Sequence, residues 1–144
     1  MSVMALDYGS VTVGVACTDA LGMTVQPLET ITRESENHLR RTCARIETLI
    51  RERNVTLIVL GRPLNMDDTP GERVEKAEIF KTMLERRTGI PVVWQDERLT
   101  TVEAEEILDE SGVERGKQKT VIDQVAACLI LKEYLSGHPE AKMS

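Results

Sequence analysis

The chain has little of what many protein classes depend on. Only one tryptophan, one phenylalanine and two tyrosines occur in 144 residues, too few for the aromatic platforms on which unpaired bases stack. Three cysteines, Cys17, Cys43 and Cys128, are scattered and odd in number, which excludes a disulfide framework and a zinc-spaced pair and points to reduced, structural thiols. No apolar run approaches the roughly 18 residues that cross a bilayer. The opening Met1-Ser2-Val3-Met4 lacks the basic region of a secretory signal, so a cytoplasmic protein is expected. Positive charge is also short. A net charge of -6 is the wrong sign for indiscriminate attraction to nucleic acid, so any such contact must be local. Histidine is confined to His38 and His138, and no Ser/His/Asp or Cys/His arrangement stands out.

What remains is an ordinary soluble composition, 41% hydrophobic and 29% charged, in a chain the size of one domain. Three short strands are expected at 3–8, 11–17 and 24–31, with turn-forming residues between them; an antiparallel meander is the simplest arrangement. Leu39, Cys43, Ile46 and Ile50 recur at helical spacing within 35–53. Two β-rich apolar runs, 55–60 and 90–94, flank a helical pattern through Val74, Ala77, Phe80 and Leu84. Strand, helix, strand implies parallel pairing. Thr100 and Glu103 form a capping box that opens a short helix ending near Gly112. A last helix, from about Thr120 to Leu135, carries a wide apolar stripe. The expected division is one domain over 1–136 and a frayed tail over 137–144.

Asp7 ends the first apolar run, immediately before the turn Tyr8-Gly9-Ser10. A carboxylate at the tip of a buried central strand is costly unless a cation or hydrogen-bonding partner meets it. If strands one, four and five run parallel, then Asp7, the loop 62–71 and Asp96-Glu97 all follow strand carboxyl ends and share one rim, where open α/β proteins place their ligands. Grouped acids there suit a hard divalent ion and phosphoryl chemistry. Strand alternation puts Val93, Gln95 and Glu97 on one face and Val92, Trp94 and Asp96 on the other; Glu97 is the choice for the site and Asp96 the reserve. Asp123 borders the packed stripe of the last helix, where a charge requires a partner, but a plain helical hairpin after the fifth strand would leave it near the opposite rim. Arg62 could bind phosphate bidentately and Asn65 could hydrogen-bond a nucleotide. Two basic clusters, Arg33, Arg40, Arg41, Arg45, Arg51 and Arg53, then Arg115, Lys117 and Lys119, could meet phosphate or form solvated faces.

Several segments, each unremarkable alone, carry a specific resemblance when taken in order: Leu6-Asp7-Tyr8-Gly9, Gly14-Val15-Ala16, Pro27 to Ile31, Gly61 to Asp67, Asp96 to Thr101, and Ile122 to Ala127. Over about Val3 to Leu135 the chain resembles the YqgF (RuvX) family, described both as Holliday-junction-resolvase-like proteins and as pre-16S ribosomal RNA nucleases. The resemblance implies an RNase H-like α/β fold: a five-stranded mixed sheet, the first three strands antiparallel and the fourth and fifth parallel to the first, flanked by helices. It brings Asp123 to Asp7 and implies that Asp7, Glu97 and Asp123 hold Mg²⁺ or Mn²⁺ and cut phosphodiester bonds. Arg62, Asn65, Arg98, Lys117 and Lys119 are then the expected nucleic-acid contacts. Where the family commonly carries basic residues after its first glycine turn, this chain has Val11 and Thr12. The expected activity is trimming of the 5′ end of precursor 16S ribosomal RNA, with ribosomal particles as further partners, by a monomer or homodimer. The alternatives are resolution of branched DNA, a non-catalytic nucleic-acid or ribosome-binding module, and an ATP-binding phosphotransferase-like lobe, since Asp7-Tyr8-Gly9-Ser10 resembles a first phosphate loop.

Overall fold

The computed structural model describes residues 2–9, 11–19, 24–35, 38–62, 72–96 and 115–138. In chain order these form β1 (Ser2–Tyr8), β2 (Thr12–Thr18), β3 (Val25–Thr32), α1 (Arg40–Arg53), β4 (Val55–Arg62), α2 (Glu72–Thr88), β5 (Val92–Asp96) and α3 (Arg115–Gly137). The five strands make one sheet in the order β3-β2-β1-β4-β5. β1 pairs antiparallel with β2 and β2 with β3, while β4 runs parallel to β1 and β5 parallel to β4. The carboxyl ends of β1, β3, β4 and β5 therefore lie on one rim.

Alternation along the strands builds two cores. Met4, Leu6 and Tyr8 of β1 join Val13 and Val15 of β2, Ile58 and Leu60 of β4, Cys43 and Ile46 of α1, and Phe80 and Leu84 of α2. Val3 and Ala5 of β1 point the other way and meet Val59 of β4 with Ile130, Leu131 and Leu135 of α3. Helices thus cover both faces, and the central strands are apolar on both sides, as buried strands must be.

Three helix boundaries differ from the periodicity reading, and β4 and β5 each end two residues later than expected. α1 begins at Arg40 rather than near Ser35. The preceding chain is still tied to the sheet, Arg33 N–H donating to the Val11 carbonyl at 2.8 Å, and His38 N–H then donates to the Ser35 carbonyl at 3.1 Å in a separate turn before the helix. α3 begins at Arg115 rather than Thr120, because its first turns are polar and lie outside the apolar stripe that the periodicity tracks. It also continues to Gly137, into the segment expected to fray. His138 then closes the helix end, its ring stacked on Tyr134 at 4.1 Å between centroids and its Nδ1 3.0 Å from the Tyr134 carbonyl oxygen. The short helix expected over 100–112 and the tail beyond His138 lie outside the described residues. Among the described residues no helix is long and apolar enough to cross a membrane.

Candidate active site

Asp7 is the third member of the Val3, Ala5, Asp7 series, so its side chain faces α3. Its position is half-buried, one residue before the end of β1. Directly across the antiparallel ladder stands Gly14, with the two Cα atoms about 4.5–5.5 Å apart as such pairs require. A strand-interior glycine usually marks the close approach of another backbone. Here the approaching backbone belongs to Asp123. A Cβ built on Gly14 would overlap the Asp123 carbonyl group and stand 2.8 Å from the Asp123 Cβ.

The missing side chain of Gly14 thus lets α3 settle onto β2 with Asp123 at the position opposite Asp7. The next residue fixes the register of the helix: Gln124 Nε2 donates to Thr30 Oγ1 at 3.2 Å, and Thr30 is the β3 partner of Gly14. Thr30, Gly14 and Asp7 therefore form one row across three strands, with Asp123 and Gln124 laid over it. Small residues on both surfaces, Ala5 and Ala16 on the sheet and Ala126 and Ala127 on the helix, are buried and permit the close packing below this point. A helix oriented in this way delivers Asp123 to the carboxyl rim, which chain spacing alone does not.

The turn after Asp7 is held from the opposite face. Tyr8 is buried and stacks on Phe80 of α2, ring centroids 4.4 Å apart. The Arg33 guanidinium lies over the other side of the Tyr8 ring at 4.7 Å and donates through Nη2 to the Gly9 carbonyl at 2.6 Å. A second backbone bond, Gly9 N–H to the Thr12 carbonyl at 2.7 Å, closes the turn. Asp7 accordingly sits between a pinned turn and a closely packed helix.

The remaining expected site residues divide by face and by position. Val92 and Trp94 pack with the α1/α2 core and Val93 with the α3 core, so exposed Asp96 belongs to the face away from Asp7. Arg62 is registered beside Asp96 and shares that face by the same alternation, an arrangement that favours opposite charges. Lys117 and Lys119 belong to the first turns of α3. Glu97, Asn65 and Arg98 lie outside the described residues, and among those described no three His, Cys, Asp or Glu residues cluster closely enough to hold a metal ion. Asp7 and Asp123, brought to the same end of this face through Gly14, are oxygen donors of the kind a hard divalent cation takes.

Gly14, Gln124 and Arg33 are residues of the site that periodicity and motif spacing do not single out. Gly14 had a legible signal, being a glycine within an apolar strand. Arg33 could only be found in space, since its partners are 24 residues away.

A five-stranded mixed sheet of this order, with one helix closing carboxylates over the end of β1, defines an RNase H-like domain. The structural likeness agrees: Thermus thermophilus RuvC in complex with a Holliday junction substrate superposes with a TM-score of 0.58 over 96% of each chain at 15% identity, and a second RuvC structure from that organism gives 0.57. The family model RuvX, described as Holliday junction resolvase, matches residues 1–137, and the chain belongs to the RuvX family. A relative from Lachnospira eligens, provisionally named a pre-16S rRNA nuclease, is 59% identical over 95% of this chain and 98% of its own. One from Listeria monocytogenes with the same name is 48% identical over 94% and 97%.

Proposed function

We propose that this protein is a Mg²⁺- or Mn²⁺-dependent nuclease that hydrolyses phosphodiester bonds, acting in the cytoplasm on the 5′ end of precursor 16S ribosomal RNA. The observation that carries this reading is the packing of Asp123 on Gly14, beside Asp7, at the carboxyl rim of the sheet. The name shared by relatives at 48–59% identity supplies the substrate.

Asp7, Asp123 and Glu97 would hold the ion. Bound there, a divalent ion supplies Lewis-acid activation of a water and neutralises charge developing on the phosphoryl oxygens. The chain's own contribution is placement. The turn pinned by Arg33 and Tyr8 orients Asp7, and the Gln124–Thr30 bond fixes α3 so that Asp123 stays in register. Lys117, Lys119, Arg98, Asn65 and Arg62 would hold the nucleic-acid backbone. The domain over 1–136, with ribosomal particles as its setting, acts as monomer or homodimer.

A second substrate reading, branched DNA, is favoured by the family model's description. A resolvase making paired incisions works as a symmetric dimer, so the two readings separate in one experiment. Precursor 16S RNA, single strands and four-way junctions are offered side by side with Mg²⁺, Mn²⁺ or chelator. Metal-dependent cleavage of the precursor RNA is expected. Cleavage of junctions alone would assign the substrate to DNA, and no metal-dependent cleavage of any of them would overturn the proposal.

A further inference from the structure

The arginine cluster of the first helix region is not one uniform solvated face. Arg45 is held by Glu29 through two bonds of 2.6 and 3.0 Å, Arg51 donates to Thr48 Oγ1, and Arg87 of α2 pairs with Glu47. Arg40 and Arg41, both exposed, pair with no carboxylate among the described residues. Together with Arg33, Glu34, His38 and Leu39 they line a cavity of about 660 Å³ between the end of β3 and the start of α1. That volume admits a phosphate with its flanking sugars.

The cavity opens on the same rim as Asp7, because β3 and β1 end together, but on the α1/α2 side of the sheet. Arg33 connects the two places. It is 7% exposed, and the Gly9 carbonyl that it grips lies two residues after Asp7, at most about 7 Å along the chain. Among the described lining residues three guanidinium groups stand against one carboxylate, Glu34, in a chain of net charge -6, a local rather than general attraction for phosphate.

We propose that this cavity is a phosphate subsite that takes a non-scissile phosphodiester of the nucleic-acid strand, with Arg40 and Arg41 making the contacts and Arg33 fixing the wall. The inference rests on the nuclease reading, and its test is independent of cleavage. Fluorescence anisotropy with a single-stranded RNA oligonucleotide, without divalent ions and across a salt series, compares the parent with R40A/R41A, R40K/R41K and the control R51A. The Ala pair is expected to bind roughly tenfold more weakly, with the slope of log affinity against log salt reduced by about 0.7 for each phosphate no longer neutralised. The Lys pair should recover the slope but not the full affinity, and R51A should match the parent. Oligonucleotides with 5′-hydroxyl and 5′-phosphate ends should bind equally, and dependence on the terminal phosphate would overturn the internal assignment. An R40A/R41A variant with the parent's affinity and slope, or an equal weakening in R51A, would also overturn it. Circular dichroism of each variant reports the fold. Weakened binding in R40A/R41A alongside a parent that shows no metal-dependent cleavage would refute the nuclease reading alone; a cleaving parent with unweakened binding in R40A/R41A would refute the subsite alone.

Discussion

Gly14→Ala is the smallest change that separates this account from a generic packing argument. The added methyl would occupy space held by the Asp123 carbonyl group, which is backbone and cannot rotate aside. Restoring ordinary van der Waals contact requires β2 or α3 to move by on the order of 1 Å, and overpacking of this kind costs roughly 1–3 kcal/mol. For a domain of this size that corresponds to a fall in Tm of roughly 4–12 °C. The functional loss should exceed the stability loss, because displacing a reacting group by about 1 Å can cost on the order of a hundredfold in rate. Thermal unfolding and metal-dependent cleavage, the latter measured well below the variant's Tm, are the assays. Removing the Asp123 side chain in the same background should not restore stability, since the obstruction is main chain. A Gly14→Ala protein with unchanged Tm and unchanged cleavage would refute the reasoning.

Phe80→Ala, which empties a fully buried site against Tyr8, should destabilise by about 3–5 kcal/mol in urea unfolding; a change below about 1 kcal/mol would deny the stack its place in the core. Glu29→Gln removes the exposed pair with Arg45 and should change stability by less than about 1 kcal/mol, an effect diminished further by salt. Burial pushes the Cys17, Cys43 and Cys128 thiols above their ordinary value of 9.0. A thiol pKa higher in the folded than in the unfolded chain means that the unfolded chain loses protons first. Their contribution is therefore complete below about pH 9 and lost as pH rises through the folded-state values. Denaturation midpoints should fall above about pH 9, and replacing all three cysteines by Ala should flatten that fall.

The strands were legible because each alternates or runs apolar between turn residues, and the parallel pairing of β4 with β5 followed from the helix between them. Alternation also gave the face of each β5 residue through Asp96, with Val93 on the α3 side and Trp94 opposite. The seat of Asp123 on Gly14, the residue across from Asp7, was not legible from spacing, since it depends on the direction in which α3 crosses the sheet. That direction is set by contacts far apart in sequence: Gly14 under Asp123, and Thr30 bonded to Gln124 across 94 residues. Arg33 escaped for the same reason. In sequence it is one arginine among six, and only the folded chain sets its guanidinium over Tyr8 and against Gly9.

On the proposed reading, carboxylates remote in the chain meet at the end of β1 to hold a divalent ion. Anomalous diffraction from crystals soaked in Mn²⁺ tests it most directly. A peak is expected at roughly 2.1 Å from carboxylate oxygens of both Asp7 and Asp123, absent in crystals of Asp7→Asn. A fully loaded crystal with no peak between those two side chains, or with the ion bound elsewhere, would contradict it.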